Sequence, residues 1–212
     1  MASEKYKLKL LVEGNEDVHV VLAFWNNAKL PETFDVIDCH SITKLLENLK
    51  IRLTLPQTNE RIGVVVDADE DVSARWDAIK DRLQATGQYD CRNLQLPEVG
   101  LVLRPISSDA PIVGVWVMPN NKLPGMLEDF VATLSEPDDP LMAKADDVLN
   151  QLEEDKIQKY KDVHRAKAKI HSYLAWQDEP GKPMGTSITA HVLNPDSPNG
   201  VRFLEWLKRL FL

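Results

Sequence analysis

Glu13, Asp67 and Asp69 are the residues from which a chemical site is most readily built. Residues 62–71 read Ile62-Gly63-Val64-Val65-Val66-Asp67-Ala68-Asp69-Glu70-Asp71. Four aliphatic residues, broken by one Gly, run into four carboxylates within five positions. Asp67 and Asp69 are two apart, so on an extended backbone both side chains point the same way. Two carboxylates on one side repel, unless a cation lies between them or one is protonated. Mg²⁺ suits such a pair, because it prefers oxygen donors and typically takes one or two carboxylates plus water. The competing reading is a strand running into the acidic N-terminus of a helix, where Asp and Glu complement the macrodipole.

The elements around these residues weigh the first reading above the second. The run 62–66 is short and β-branched, as expected of a buried strand in a parallel sheet. The carboxyl ends of such strands form the ligand edge of open α/β folds. Upstream, Tyr6–Glu13 is the first expected strand, and Gly14-Asn15 breaks it. Asn15 can cap a helix with Glu16 and Asp17 in its first turn and Val18, Val21, Leu22 and Trp25 on its apolar face, ending before Pro31. Phe34–Cys39 is a second strand. Ser41 caps a second helix carrying Ile42, Leu45, Leu46 and Leu49, and Pro56–Asn59 is a loop. Val72–Gln84 is the third helix. This β-α-β-α-β-α order marks a mainly parallel sheet. If strand two lies outside strand one, right-handed crossovers set strand one beside strand three. Glu13 and Asp67 then meet at one sheet edge, about 4.8 Å apart, and a third carboxylate is hard to explain by helix capping alone.

The remainder is less regular. Val99–Leu103 and Ile112–Met118 are strand candidates, followed by a turn-rich loop at 119–125 and a helix from Met126. Ser135–Pro140 ends that helix. Two helices are expected between Leu141 and about Trp176, then a loop at Gln177–Gly185 and an amphipathic helix at Val201–Phe211. The expected architecture is α/β and Rossmann-like, a central sheet flanked by helices. Residues 1–135 form the α/β domain and residues 136–212 a helical C-terminal extension packed on the same core.

Two stretches resemble a known family. Leu10-Leu11-Val12-Glu13-Gly14-Asn15-Glu16-Asp17 is similar to the first motif of the Toprim domain, a hydrophobic strand ending in Glu-Gly with an Asp three residues after the Gly. Val64-Val65-Val66-Asp67-Ala68-Asp69 resembles its second motif, Asp-x-Asp. The resemblance spans roughly residues 6–131. Toprim is the metal-binding fold of topoisomerases, bacterial primases, OLD-type nucleases, ribosomal-RNA maturation nucleases and recombination mediators. A stand-alone Toprim-like protein near the OLD-type nucleases is the branch this chain most resembles. That branch adds acidic residues after a later strand and a catalytic lysine further on. Glu128 and Asp129 fall where the first addition belongs, and Lys167 and Lys169 are in the region of the second. No ATPase domain accompanies them. No Gly-x-Gly-x-x-Gly or Walker-type loop supports a nucleotide-binding alternative.

The resemblance implies a Mg²⁺- or Mn²⁺-dependent phosphoryl-transfer enzyme, most simply a nuclease acting on DNA or structured RNA. Glu13, Asp67 and Asp69 would hold metal, and Asp71 or Glu128 would complete a second position. Lys167 or Lys169 would stabilise the transition state. A place in antiviral defence follows by analogy alone. The alternative is a non-catalytic Toprim-like module that binds metal or phosphate and acts through a protein partner. A third reading, a small-molecule enzyme of Rossmann type, needs an apolar pocket at the sheet edge. Bland roles compete at each outlying position. For Asp71, Asp17, Glu128 and Asp129 the competing role is at helix N-termini. His164, Lys167 and His171, beside an apolar face of Val163, Ile170 and Leu174, form either a basic stripe or a solvated helix face. Trp116 and Trp206 read as core. His40 lies at the functional edge with no evident partner.

The totals constrain partners. The chain has 212 residues and a formal charge of -8, which disfavours broad, sequence-independent duplex binding through Lys and Arg. Two cysteines, Cys39 and Cys91, argue against a disulfide framework. No stretch approaches about 18 consecutive apolar residues, so no membrane span is expected. A cytoplasmic protein is the expectation.

Overall fold

The computed structural model describes residues 4–55, 60–106 and 109–212, so the expected loop Pro56–Asn59 lies outside the described residues. Among the described residues five strands make one sheet: β1 (Leu8–Val12), β2 (Asp35–Asp38), β3 (Arg61–Asp67), β4 (Leu101–Leu103) and β5 (Ile112–Met118). Their order is β2-β1-β3-β5-β4. Only β4 runs antiparallel. β2 does lie outside β1, which sets β1 beside β3 as the crossover rule requires. The chain is thus α/β and Rossmann-like.

Helices cover both faces. They are α1 (Asn15–Asn27), α2 (Ile42–Thr54), α3 (Val72–Ala85), α4 (Leu127–Ala132), α5 (Pro140–Glu154), α6 (Arg165–Ala175), α7 (Met184–Thr189) and α8 (Pro198–Phe211). A 3₁₀ turn, Asp162–His164, precedes α6. Strand residues alternate between the two layers. Ile62, Val64 and Val66 join Leu45, Leu49, Trp76 and Ile79 beneath α2 and α3. Val65 joins Leu10, Val12, Trp116 and Met118 beneath the opposite helices, with Phe24, Phe130, Phe203 and Trp206. Covering on both faces is why these strands read as continuous apolar runs. Among the described residues, no helix is long and apolar enough to cross a membrane.

Several local expectations change. The buried stripe of α1 is Val20, Val21, Phe24 and Trp25. Leu22 points outward at 36% exposure, because it lies off the i, i+3, i+4, i+7 series that Asp17 begins. Gly14, not Asn15, is the N-cap of α1. Val163 is exposed in the 3₁₀ turn, while Ile170, Tyr173 and Leu174 form the buried face of α6. α7 starts at the end of the stretch read as a loop. It is only six residues long, and Gly185 lets it approach α1, since a Cβ there would lie 2.7 Å from the His19 carbonyl oxygen. α8 begins earlier than expected, at Pro198, where Ser197 Oγ accepts from Gly200 N at 3.2 Å.

The glycine inside the β3 run has a packing role. Gly63 pairs in register with Gly114 of β5, and together they leave a slot for Leu210 of α8. A Cβ on Gly63 would lie 2.5 Å from Leu10 Cδ1, 2.9 Å from Leu210 Cδ2 and 3.1 Å from Phe211 Cζ. Gly63→Ala should therefore destabilise the protein by about 1–3 kcal/mol through overpacking. A lowered urea midpoint with an unchanged slope would show it; an unchanged midpoint would mean the slot has room to spare.

Candidate functional site

The two strand-end carboxylates meet. Glu13 follows β1 and Asp67 ends β3. Glu13 Oε1 accepts from Asp67 N at 2.9 Å. Asp67 Oδ1 accepts from Leu127 N at 2.8 Å, which ties the strand end to the first turn of α4. Each carboxylate thus spends one oxygen on a backbone N–H, and no hydrogen bond from a described residue reaches the other. Two further acids close in from the neighbouring helices. Asp17 of α1 is buried, with Oδ2 accepting from Gly14 N at 3.0 Å. Glu128 of α4 is also buried. All four line a cavity of about 410 Å³ with His40 and Lys167.

Crowded acids resist ionisation. Burial, then the charges of Asp17, Glu13 and Glu128, push the Asp67 carboxyl up to about 9. Burial and the charges of Glu13 and Glu128 push Asp17 up to about 7. Burial also raises Glu13, against the Asp67 N hydrogen bond and the Arg75 charge. Lys167 is the one Lys or Arg among the described residues lining the cavity. Its Nζ lies 2.8 Å from Glu16 Oε2 and 3.6 Å from Glu128 Oε1, and the Glu16 hydrogen bond raises its pKa first of all.

This donor set fits a hard cation in chemistry. The free oxygens belong to carboxylates, and their repulsion is what a cation would relieve. No three His, Cys, Asp or Glu side chains among the described residues are arranged to enclose an ion.

One family model, that of DUF3226, described as a protein of unknown function, matches residues 7–212. The chain belongs to that family. No curated protein and no solved structure matches it.

In this DUF3226 chain the acidic residues read from the sequence divide between two cavities. Asp69 turns away from Glu13 and Asp67. Its backbone is left-handed, at φ 52°, and exchanges two hydrogen bonds with Gly125, at 2.9 and 2.7 Å. Its carboxylate is held by the Arg75 guanidinium, whose Nε also donates to the Asp67 carbonyl at 2.7 Å. The extended geometry that would have kept Asp67 and Asp69 on one side ends at Ala68. Asp69, Asp71 and Asp129 line a second cavity of about 890 Å³. Asp71 is the N-cap of α3, accepting from Ser73 N at 2.8 Å and Ala74 N at 3.0 Å. Asp129 accepts from Met126 N at 2.9 Å at the start of α4. Capping therefore falls to Asp129, while its neighbour Glu128 faces the smaller cavity. Lys169 is drawn off to Asp146 of α5, which leaves Lys167 as the lysine at the acids. Asp71→Ala should cost about 1 kcal/mol, the usual value of a lost cap, and leave any Mg²⁺-induced rise in melting temperature intact. A lost Mg²⁺ response would place Asp71 at the ion after all.

Arg75 is absent from the sequence reading, although a signal was present. A cation in the first turn of a helix opposes the macrodipole, so Arg75 in α3 needed an anion nearby. Asn121 is the other omission. Its side chain accepts from Val117 N at 2.7 Å and donates to the Glu98 carbonyl at 3.2 Å, which secures the loop that carries Gly125.

Proposed function

We propose that this chain is a Toprim-like, Mg²⁺- or Mn²⁺-dependent phosphodiester hydrolase acting on DNA or structured RNA. One observation carries the reading. Glu13 and Asp67, at the ends of adjacent parallel strands, each keep an oxygen free in a cavity that also holds Asp17, Glu128 and Lys167. Glu13 and Asp67 would hold the ion. When bound, it supplies an acidified water and charge neutralisation at the phosphate. The two backbone hydrogen bonds orient the carboxylates before any ligand arrives, which is the preorganisation such a site needs. Lys167 brings a positive charge to the phosphate or to the leaving oxygen. The larger cavity has the volume of a cofactor pocket, but Asp69, Glu70, Asp71, Asp129 and Asp162 line it and would repel a phosphate-bearing dinucleotide.

The second reading is a non-catalytic module that binds metal or phosphate and works through a protein partner. The Arg75–Asp69 pair favours it, because it withholds from the site a carboxylate that the Asp-x-Asp motif would supply.

A cleavage screen over DNA and RNA with Mg²⁺, Mn²⁺ and Ca²⁺ separates the two. Turnover should appear with the first two ions and be poor with Ca²⁺, whose larger coordination shell is looser. Lys167→Ala should lower the rate by about 10²-fold or more, on the scale of losing one transition-state donor, and leave Mg²⁺ stabilisation nearly unchanged. Mg²⁺ binding at Asp67 without cleavage of any substrate would replace the hydrolase with the binding module.

A further inference from the structure

A wall of the acidic cavity that carries no acid holds a histidine with a built-in orienting partner. β2 lies parallel to β1 with Val12 opposite Asp38, and Cys39 N donates to the Val12 carbonyl at 3.0 Å. The chain that leaves β2 therefore emerges at the same edge as Glu13. There it turns left-handed at His40, with φ 64°, before Ser41 caps α2. One oxygen, Asp38 Oδ1, accepts from His40 N at 2.7 Å and lies 3.2 Å from His40 Nδ1. The same carboxylate oxygen accepts from the backbone and lies within ion-pair distance of the ring. Among the described residues nothing bonds Nε2, and the His40 side chain is 70% exposed. His40 lines the cavity with Glu13, Asp67, Glu128 and Lys167. A turn alone does not ask for an imidazole, since Gly adopts the left-handed conformation without steric cost.

From this geometry we infer that His40 is the general acid that protonates the leaving oxygen of the scissile phosphodiester, with Asp38 as its positioning residue. The inference rests on the phosphodiesterase reading above. As the imidazolium the ring carries a proton on both nitrogens, so Nδ1 can face the Asp38 carboxylate while Nε2 presents its proton to a reactant. Lys167 fits that role poorly, because its two acidic partners make it hold its proton more tightly. It serves as a fixed charge instead. In the step, a water oxygen forms a bond to phosphorus, and the P–O bond to the leaving group breaks with its electron pair going to that oxygen. The Nε2 proton moves to the same oxygen and yields an alcohol. The attacking water loses its proton to solvent, and the imidazole regains one from solvent. The charged groups that share the cavity with His40 are Glu13, Glu16, Asp17, Asp67, Glu128 and Lys167, with Asp38 on its own strand.

The test compares two substrates in His40→Gln. One is an oligonucleotide, whose alkoxide leaving group needs a proton. The other is the p-nitrophenyl ester of thymidine 5′-monophosphate, whose phenolate leaves without one. The oligonucleotide rate should fall by about 10²-fold or more, as general acid catalysis is worth. The p-nitrophenyl ester should lose far less, and the Mg²⁺-induced thermal shift should persist, showing an intact fold. Equal losses on both substrates, or none on either, would overturn the role of His40 and leave the phosphodiesterase reading standing. A wild type that cleaves neither substrate with Mg²⁺ or Mn²⁺ overturns both.

Discussion

Asp67→Asn will raise the melting temperature of the metal-free protein and abolish the stabilisation that Mg²⁺ gives the wild type. The two effects have one cause. Asp67 sits among Asp17, Glu13 and Glu128, and burial together with their charges lifts its carboxyl to about 9. An amide removes its share of the repulsion. It also keeps the shape and an oxygen that can accept from Leu127 N, as Asp67 Oδ1 does. The cation loses a ligand oxygen and a charge at the same time. A ligand at about 100 times its Kd stabilises a fold by about 2.7 kcal/mol, which for a chain of this size is a rise of about 5–10 °C. The wild type should show that rise in a thermal scan and Asp67→Asn almost none of it. Cleavage should fall with it, and adding Glu13→Gln should cost far less than the sum of the single losses, as for groups acting as one unit. A Mg²⁺-induced shift that survives in Asp67→Asn would remove the metal from this cavity.

Without metal, stability should fall as pH rises from about 5 to about 9. Asp67 and Asp17 are pushed up to about 9 and about 7 in the folded chain, both well above the ordinary aspartate value of about 3.9. Between the unfolded and folded values the folded chain binds more protons than the unfolded one. The slope of unfolding free energy against pH is then negative. The stability is fully present below the unfolded value and is lost as pH climbs toward the folded one. The two shifts share one mutual repulsion and do not add. At about 1.4 kcal/mol per pKa unit, the loss should amount to several kcal/mol. On the acid side the opposite sign applies. Asp146, Asp35 and Glu4 are lowered by hydrogen bonds from Lys169, Lys9 and Arg52 respectively, against the burial that raises each, and their contribution disappears as pH falls through their folded values. The optimum should lie near pH 4–5. Saturating Mg²⁺ should flatten the alkaline decline, because the ion binds the ionised carboxylates. Urea midpoints at intervals from pH 4 to 9, with and without Mg²⁺, measure all of this. A metal-free stability that is level or rising over that range would mean the four acids are solvated and independent.

Much of the frame was legible in the amino-acid order alone. Apolar runs that end at Val12 and at Val66, with one helix, one strand and another helix between them, and the hand of the crossovers place Glu13 beside Asp67. Nothing in that inference needs a side-chain contact. Ser41 and the α3 start at Val72 were readable for the same reason, since caps and periodicity are local. The rest of the site is not local. The direction of Asp69 depends on how far the extended backbone continues past β3, and a two-bond bridge to Gly125, distant in the chain, ends it. Asp17 and Glu128 reach the cavity only because α1 and α4 dock against the same sheet edge with those faces inward. Of Lys167 and Lys169, helical rotation sends one to Glu128 and the other to Asp146, a choice that helix spacing states but cannot orient. His40 looked unpartnered in one dimension because its partner, two residues earlier, reaches it only through a left-handed turn. Sequence determined which strands end together; the packing of helices and loops onto that edge decided which side chains face one another there.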